Sequence, residues 1–339
     1  MKNYIPLVFC LLAIDVAYSQ TDSSTAYYQK GLTEKNSGLF MVASQDLEKA
    51  IKFDPKNLNA YLQDGYANTE MHRTDVAKAD FQNAYNLDPS NAEAIKQLTQ
   101  IYYSYHQYEQ AIDFAKKCNT CDNSERIIAM CSYQQEDYGT TIKDLQDVLQ
   151  KNPNDAEATY TMARSYLELE EYVQAVPWYQ KAVQLDPTKN VWMYELGLLY
   201  YNNDDFKDAV IFIDKAVATG YRKTNDVNEN LGFACIYTGD FDRGERLLLD
   251  LLSKRPGDKD LIRGIAEAYY SVKMYDKSLE FCQQLMQLDA KDGRALYQAG
   301  LCFQKKGDKD KGEQMCDHAI EIDPSLASLR QKKSDMMGL

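Results

Sequence analysis

The sequence contains few of the residues on which enzymes rely for chemistry. Only three of its 339 residues are histidine, and it has no H-E-x-x-H zinc motif, no phosphate-binding glycine loop and no G-x-S-x-G nucleophile motif. His72 and His106 lie in short turns and His318 lies in a helical segment, so we interpret them as solvated or packing residues. A metal shared by His72 and His106 is the weaker alternative. We therefore expect a protein that is not an enzyme and that holds neither a metal nor a cofactor.

Long hydrophobic runs are also absent, apart from one near the N-terminus. Ile5 to Ile14 is an apolar segment that follows the cation of Lys2, and residues 17–19 supply small side chains at the spacing of a cleavage site. The segment is shorter than the roughly 18 residues that a membrane-spanning helix needs. The pattern predicts a signal peptide over residues 1–19 and a mature chain without a membrane span. The absence of an N-x-Ser/Thr sequon favours a bacterial envelope, so the expected location is the periplasm or the cell surface.

Positive charge is scarce relative to negative charge. The chain has 38 lysines and arginines against 51 aspartates and glutamates, which gives a formal net charge of −13. Binding to nucleic acid depends on neutralising phosphates with lysine and arginine, so this balance argues against nucleic acid as a partner. It argues equally against anionic membrane surfaces.

Cysteine is too sparse for a scaffold that depends on disulfides. Eight are present and one lies in the predicted signal peptide. Cys118 and Cys121 form a C-x-x-C motif, but it follows a predicted helix, whereas a thioredoxin-like site opens one and uses the helix N-terminus to stabilise the thiolate. A local disulfide between Cys118 and Cys121 is one interpretation, and Cys118 as a small packing residue is the other.

Aromatic residues, in contrast, are abundant and recur at a nearly fixed spacing. The series is Tyr108, Tyr138, Tyr172, Phe206, Phe241 and Tyr275. Successive members are separated by 30, 34, 34, 35 and 34 residues, and a step of 34 also separates Pro55 from Pro89. A fixed period near 34 predicts one structural unit that is repeated along the chain. We expect these six residues to lie at the turn inside each unit and to brace it from within.

The stretch from Ala156 to Pro187 shows what one unit contains. Apolar and small residues recur at steps of three and four, break around Leu169, resume after Tyr172 and stop at Pro187. This pattern predicts two short amphipathic helices joined by a tight turn, because proline lacks the N–H that would continue the second helix. Alanines on the facing sides allow the two helix backbones to approach closely.

The unit resembles the tetratricopeptide repeat (TPR), whose pattern is W-x2-L-G-x2-Y, then A-x3-F, then P. The unit that begins near Asn190 carries Leu196-Gly197, Tyr200, Phe206 and Ala209 in this order. Nine units in phase are predicted at residues 24–57, 58–91, 92–121, 122–155, 156–189, 190–224, 225–258, 259–292 and 293–324. The resemblance implies an all-α, right-handed superhelical solenoid over residues 20–324. Residues 325–339 would then form a capping helix and tail, in which Leu326 and Leu329 cover the last apolar face.

Two steps of the repeat are irregular. The 30-residue step ends the third unit at Cys118 to Cys121, so we expect its second helix to lose its last turn. One residue is inserted between the sixth and seventh units, where Tyr221 stands in place of the usual proline.

TPR proteins bind extended segments of other proteins along a concave side lined by the first helices, so the resemblance implies where a binding groove should lie. Tyrosine offers a large contact area with few rotors and one hydroxyl group. The predicted groove residues are Tyr66, Lys96, Tyr103, Arg126, Tyr133, Tyr160, Arg164, Tyr194, Tyr201, Tyr270 and Tyr297. The three cations predict a mildly basic centre, and Glu229, Asp260 and Glu267 predict an acidic stretch after it. Ordinary amphipathic packing is the alternative explanation for the tyrosines.

The leading hypothesis is a non-catalytic scaffold that binds protein or peptide segments in envelope assembly or secretion. A structural subunit that assembles with copies of itself is the alternative, and a redox or metal role at Cys118 and Cys121 is the third. The sequence leaves the identity of the partner and the oligomeric state open.

Overall fold

The computed structural model describes residues 22–118, 121 and 123–329, and within them it contains helices joined by short turns and no strand. These residues form two compact units, the first ending at Glu171 and the second beginning at Tyr172. The all-α prediction is confirmed. The predicted signal peptide, residues 1–19, and the last part of the predicted tail, residues 330–339, lie outside the described residues.

Helices of similar length follow one another through both units. In the first unit they are α1 (22–36), α2 (Phe40–Phe53), α3 (Leu58–Glu70), α4 (Thr74–Leu87), α5 (Ala92–Ser104), α6 (Tyr108–Lys117), α7 (Ser124–Gln134), α8 (Tyr138–Lys151) and α9 (Ala156–Glu168). In the second unit they are α10 (Tyr172–Leu185), α11 (Asn190–Asn202), α12 (Phe206–Ala218), α13 (Asn225–Thr238), α14 (Phe241–Lys254), α15 (Lys259–Ser271), α16 (Tyr275–Leu288), α17 (Gly293–Lys306), α18 (Lys309–Ile322) and a 3-10 turn, Pro324–Leu326. Across the described residues, every helix is too short or too polar to cross a membrane.

The same turn follows every odd-numbered helix. One residue in each of these turns has a positive φ, and the series is Gly38, His72, His106, Glu136, Glu170, Asp204, Gly239, Lys273 and Gly307. After α3, the His72 N–H donates to the Thr69 carbonyl at 2.9 Å and the Arg73 N–H donates to the Asn68 carbonyl at 2.8 Å. This pair of bonds is a Schellman motif, which satisfies the last carbonyls of a helix. The turn position of His72 and His106 therefore agrees with the sequence.

Several odd-numbered helices begin at a capping side chain. Asn91 accepts a hydrogen bond from the Ala94 N–H at 2.9 Å, and Asp292 accepts one from the Ala295 N–H at the same distance. Each such cap contributes about 1 kcal/mol to helix stability. These asparagines and aspartates lie in the loops that connect one helix pair to the next, where they fix the start of the following helix.

The two helices of a pair come closest where the first carries glycine. A Cβ added to Gly65 on α3 would lie 2.7 Å from the Phe81 ring on α4, and one added to Gly197 on α11 would lie 2.7 Å from the Ile213 side chain on α12. Phe81 and Ile213 are fully buried. At these two positions glycine is therefore a packing requirement, since an added side chain would displace Phe81 or Ile213.

A buried polar cluster lies between α3 and α4. The Asn68 amide donates to the carboxylates of Asp64 at 3.1 Å and Asp80 at 3.0 Å. Burial raises the pKa of Asp64 to about 6, partly offset by a hydrogen bond from Ser44. Burial and then the negative charge of Asp64 raise the pKa of Asp80 to about 7. Both carboxyl groups therefore bind protons more readily in the folded chain than in the unfolded one.

The irregular third repeat, which contains α5 and α6, has the predicted shape. Helix α6 has 10 residues, whereas α4 and α8 have 14 each, so its last turn is missing. At the other end of the chain the capping prediction is met in part. Leu326 is only 4% exposed and packs near Tyr297 and Cys316, but Leu329 is 48% exposed and does not cover the last apolar face.

Candidate peptide-binding surface

The predicted groove residues of the first unit lie on α3, α5, α7 and α9. Helix α7 contacts both α5 and α9, so the odd-numbered helices are neighbours here. Lys96 is exposed, while Tyr103, Arg126, Tyr133 and Tyr160 are half-buried. The structure therefore brings these side chains onto adjacent helices of one unit, as a continuous binding surface requires.

Tyr66 is fixed by its neighbours on α5. Its hydroxyl donates to the Glu93 carboxylate, and the Gln97 amide donates to the same hydroxyl at 3.4 Å. Lys35 lies 5.4 Å from the ring centroid, within the range of a cation–π contact. Burial, followed by the Glu93 hydrogen bond, raises the pKa of Tyr66. Tyr66 thus serves mainly to join α3 to α5.

The periodic aromatic residues hold the groove tyrosines in place. The ring centroids of Tyr103 and Tyr108 are 6.0 Å apart and those of Tyr133 and Tyr138 are 5.6 Å apart, both at 59° between planes. All four rings are half-buried. From the sequence the two sets are expected to be separate, an internal brace and a binding face. In the structure the two sets form pairs. The end of the odd-numbered helix and the turn after it bring the second ring, five residues later, back against the first.

The expected basic centre is weaker than the sequence suggests. Arg126 pairs with Asp155 and Glu157, each at 2.9 Å, and Arg164 pairs with Glu168 at 2.6 Å. Their charges are therefore largely compensated. Among the described residues, no carboxylate forms a direct ion pair with Lys96.

A cavity of about 260 Å³ opens between α5 and α7, beside the shortened α6. Its wall includes Glu93, Lys96 and Ile127 together with Cys118 and Cys121, whose sulfur atoms are joined by a disulfide bond. The missing helical turn accounts for the space. Sequence reasoning identified the missing turn but did not foresee the cavity, because the 30-residue step does not show which side chains border it.

In the second unit, two predicted groove residues are buried. Tyr194 is 8% exposed and Tyr297 is 6% exposed. Tyr194 stacks on Tyr221 at 4.4 Å between centroids, and its hydroxyl accepts a hydrogen bond from Asn230 at 3.2 Å. Neither tyrosine offers a side chain to a partner, and we leave both out of the surface proposed below.

The other two groove tyrosines of the second unit repeat the pairing seen in the first. Tyr201 meets Phe206 edge to face at 5.3 Å, and Tyr270 meets Tyr275 at 5.6 Å. Tyr201 and Tyr270 remain half-buried and thus partly accessible. The carboxylates of Glu229 and Asp204 act on Tyr201, whereas the groups that act on Tyr270 are cysteine and tyrosine side chains.

The remaining thiols lie inside the helix pairs. The described cysteines outside the disulfide are Cys131, Cys235, Cys282, Cys302 and Cys316, and all are buried. Burial raises the pKa of the Cys131 thiol to about 11 and that of Cys282 to about 12. Nowhere in residues 22–118, 121 and 123–329 do three histidine, cysteine or acidic side chains converge as metal ligands would.

Comparison with known proteins identifies the repeat. Sequence profiles described as tetratricopeptide repeat match residues 24–57, 132–178 and 293–326. The peroxisomal targeting signal receptor of Saccharomyces cerevisiae is 23% identical over 245 residues, which are 68% of this chain and 40% of that protein. Anaphase-promoting complex subunit 3 of Schizosaccharomyces pombe is 25% identical over 54% of this chain and 27% of that protein. The chain thus spans less than half the length of these curated relatives.

Solved structures with the same kind of repeat include YrrB, described as a TPR protein with an unusual peptide-binding site. It is 23% identical, with a TM-score of 0.39, and covers 56% of this chain and 97% of its own. The repeat profiles match the start, the middle and the end of the described helices. The chain belongs to the tetratricopeptide repeat family.

Proposed function

We propose that this protein is a non-catalytic scaffold that binds a segment of another protein along α5, α7 and α9. The observation that carries the proposal is the pair of braced tyrosines, Tyr103 and Tyr133, on neighbouring odd-numbered helices beside the exposed Lys96. A ring that is already held in place loses little conformational freedom when a partner binds, so more of its contact energy becomes affinity.

The family and one relative support binding rather than catalysis. TPR proteins are generally protein-interaction scaffolds, and the name of the yeast relative designates a receptor. We further propose that the protein acts in envelope assembly or secretion after export, which rests on the signal-peptide pattern of residues 1–19.

The test is capture of envelope proteins on the immobilised mature chain, residues 20–339, with matched variants. Lys96→Ala combined with Tyr160→Ala should lower recovery of the bound protein at least about tenfold, because a few central side chains carry most of the binding energy. Gln110→Ala combined with Gln150→Ala alters exposed side chains on α6 and α8 and should leave recovery unchanged. Circular dichroism checks that both variants stay helical.

Two outcomes would count against this function. Equal recovery on both variants would show that the partner binds elsewhere on the chain. A light-scattering mass that rises with concentration in the absence of a partner would instead favour the self-assembling subunit.

A further inference from the structure

The second unit carries aromatic rings and carboxylates at one place on its odd-numbered helices, and the function proposed above does not use them. The group comprises Tyr201, Asp204, Phe206, Glu229, Tyr237 and Glu267. We call it the acidic aromatic patch. Its members come from α11, α13, α15, the first residue of α12 and the turn before it, so three successive repeats contribute.

The three rings form a corner. Phe206 stacks on Tyr237 with 4.2 Å between centroids and 19° between planes, and Tyr201 meets Phe206 edge to face at 5.3 Å and 76°. All three rings are half-buried, so part of their surface faces solvent. The faces of aromatic rings carry partial negative charge and attract cations. A corner of rings can therefore contact a flat or linear cationic side chain from two directions.

Three carboxylates act on this corner. Burial is the main cause that raises the pKa of Tyr201 to about 12, and the nearby Tyr237, Glu229 and Asp204 add to it. The pKa of Tyr237 is raised by burial and then by the charges of Glu267 and Asp204. These effects place the negative charges close enough to the rings to oppose any further negative charge there. An anionic ligand would meet both the carboxylates and the ring faces.

Arg263 and Arg294 line a cavity together with Glu267, but within the described part of the chain neither forms an ion pair with it. Arg255 lies 3.3 Å from Glu229, in an exposed pair of small energetic value. Asp204 and Glu267 are exposed, and no lysine or arginine among the described residues pairs with either. The neighbouring Arg263 is engaged by Asp260 at 2.9 Å and Asp292 at 3.0 Å. The patch thus has carboxylates available for a cation that comes from outside.

We propose that the acidic aromatic patch binds arginine or lysine side chains of a basic segment in a partner protein. The aromatic corner supplies cation–π contacts, for which guanidinium groups are well suited because they are planar and weakly hydrated. Asp204 and Glu267 supply the opposite charge. The proposal extends the proposed function from the first unit to the second and names the chemistry of the segment that this second surface accepts.

The test measures fluorescence anisotropy of a labelled 12-residue glycine-serine peptide carrying four arginines, titrated with the mature chain at low salt. Asp204→Asn combined with Glu267→Gln keeps side-chain volume and should weaken binding about tenfold, as expected for two exposed ion pairs lost together. Asp310→Asn combined with Glu321→Gln on α18 makes the same change in net charge and should weaken binding less than about twofold. Tyr201→Leu should weaken it about threefold, whereas Tyr201→Phe keeps the ring and should bind as the unaltered chain does.

The matched variants separate a site from general attraction. Equal losses in the two charge variants would show that the peptide responds only to the net charge of the chain, and the proposal would be wrong. Absence of binding to the arginine peptide, or equal binding of a version with glutamates in place of the arginines, would also overturn it. The capture experiment tests a different surface, on α5, α7 and α9. Either the proposed function or the acidic aromatic patch can therefore fail while the other stands.

Discussion

Replacement of Gly65 by alanine tests the close contact between α3 and α4. The added Cβ would lie 2.7 and 2.8 Å from two carbons of the Phe81 ring, closer than carbon atoms in contact can approach. Phe81 is fully buried and touches Tyr66 edge to face at 5.4 Å, so its ring cannot simply turn away. Overpacking of this kind costs about 1–3 kcal/mol. Alanine recovers about 0.5–1 kcal/mol of helix propensity, which leaves a net loss of up to about 2.5 kcal/mol.

Gly139 lies in the same compact unit as Gly65, the one that ends at Glu171, and provides the matched control. It lies in α8 with no atom within 4 Å of an added Cβ, so Gly139→Ala should stabilise the first unit by up to about 0.5 kcal/mol. Urea denaturation followed by circular dichroism measures both changes. Phe81→Leu in the Gly65→Ala background should cost less than it does in the unaltered chain, because leucine vacates the space that the new methyl group needs. If Gly65→Ala is as stable as Gly139→Ala, α3 and α4 do not approach as described.

Three further predictions concern charge, turn geometry and cysteine chemistry. Because Asp64 and Asp80 bind protons more readily when folded, stability should fall as pH rises from about 4 to about 7, and Asp80→Asn should flatten this slope in thermal unfolding curves. Lys273 has a φ of 66°, so Lys273→Gly should raise the unfolding midpoint through a gain of about 0.5–1 kcal/mol, and a lower midpoint would contradict the turn geometry. Non-reducing peptide mapping of oxidised protein should find Cys118 linked to Cys121; a free thiol at either position would contradict the bond.

The sequence predicts the repeat well because the repeat is governed by short-range rules. Helix periodicity, the small residue at the close approach and the positive-φ turn all depend on residues within one repeat, and the nine repeats share them. The shortened α6 could be predicted for the same reason, since a step of 30 instead of 34 leaves too few residues for a full second helix. No knowledge of distant contacts was needed.

The surface was predicted less well because its chemistry depends on the next repeat. Tyr194 occupies a groove position on α11, but Tyr221 from the irregular connection stacks on it and buries it. Arg126 lies on α7 but forms ion pairs with Asp155 and Glu157. These two residues lie 29 and 31 residues later, at the start of α9 in the next repeat. Helix periodicity assigns a side chain to a face. It does not tell which partner from the next unit will reach that side chain.

The positive-φ turn connects the stability of the repeat with its surface. Glycine would adopt this conformation without strain, yet it occurs only at positions 38, 239 and 307, in repeats that lack the aromatic pair across the turn. The four repeats with a ring pair carry His106, Glu136, Asp204 and Lys273 there, and His72 and Glu170 occupy the same position in two repeats without such a pair. All four side chains beside a ring pair are exposed, although His106 contacts Tyr108 with 2.7 Å between its Nδ1 and the Tyr108 hydroxyl oxygen, and a left-handed conformation costs roughly 1–2 kcal/mol at each position. Backbone strain of this kind clusters at functional positions in proteins. In this chain the positive-φ turn places a different polar or charged group beside each ring pair. The acidic aromatic patch around Asp204 is one instance of that arrangement.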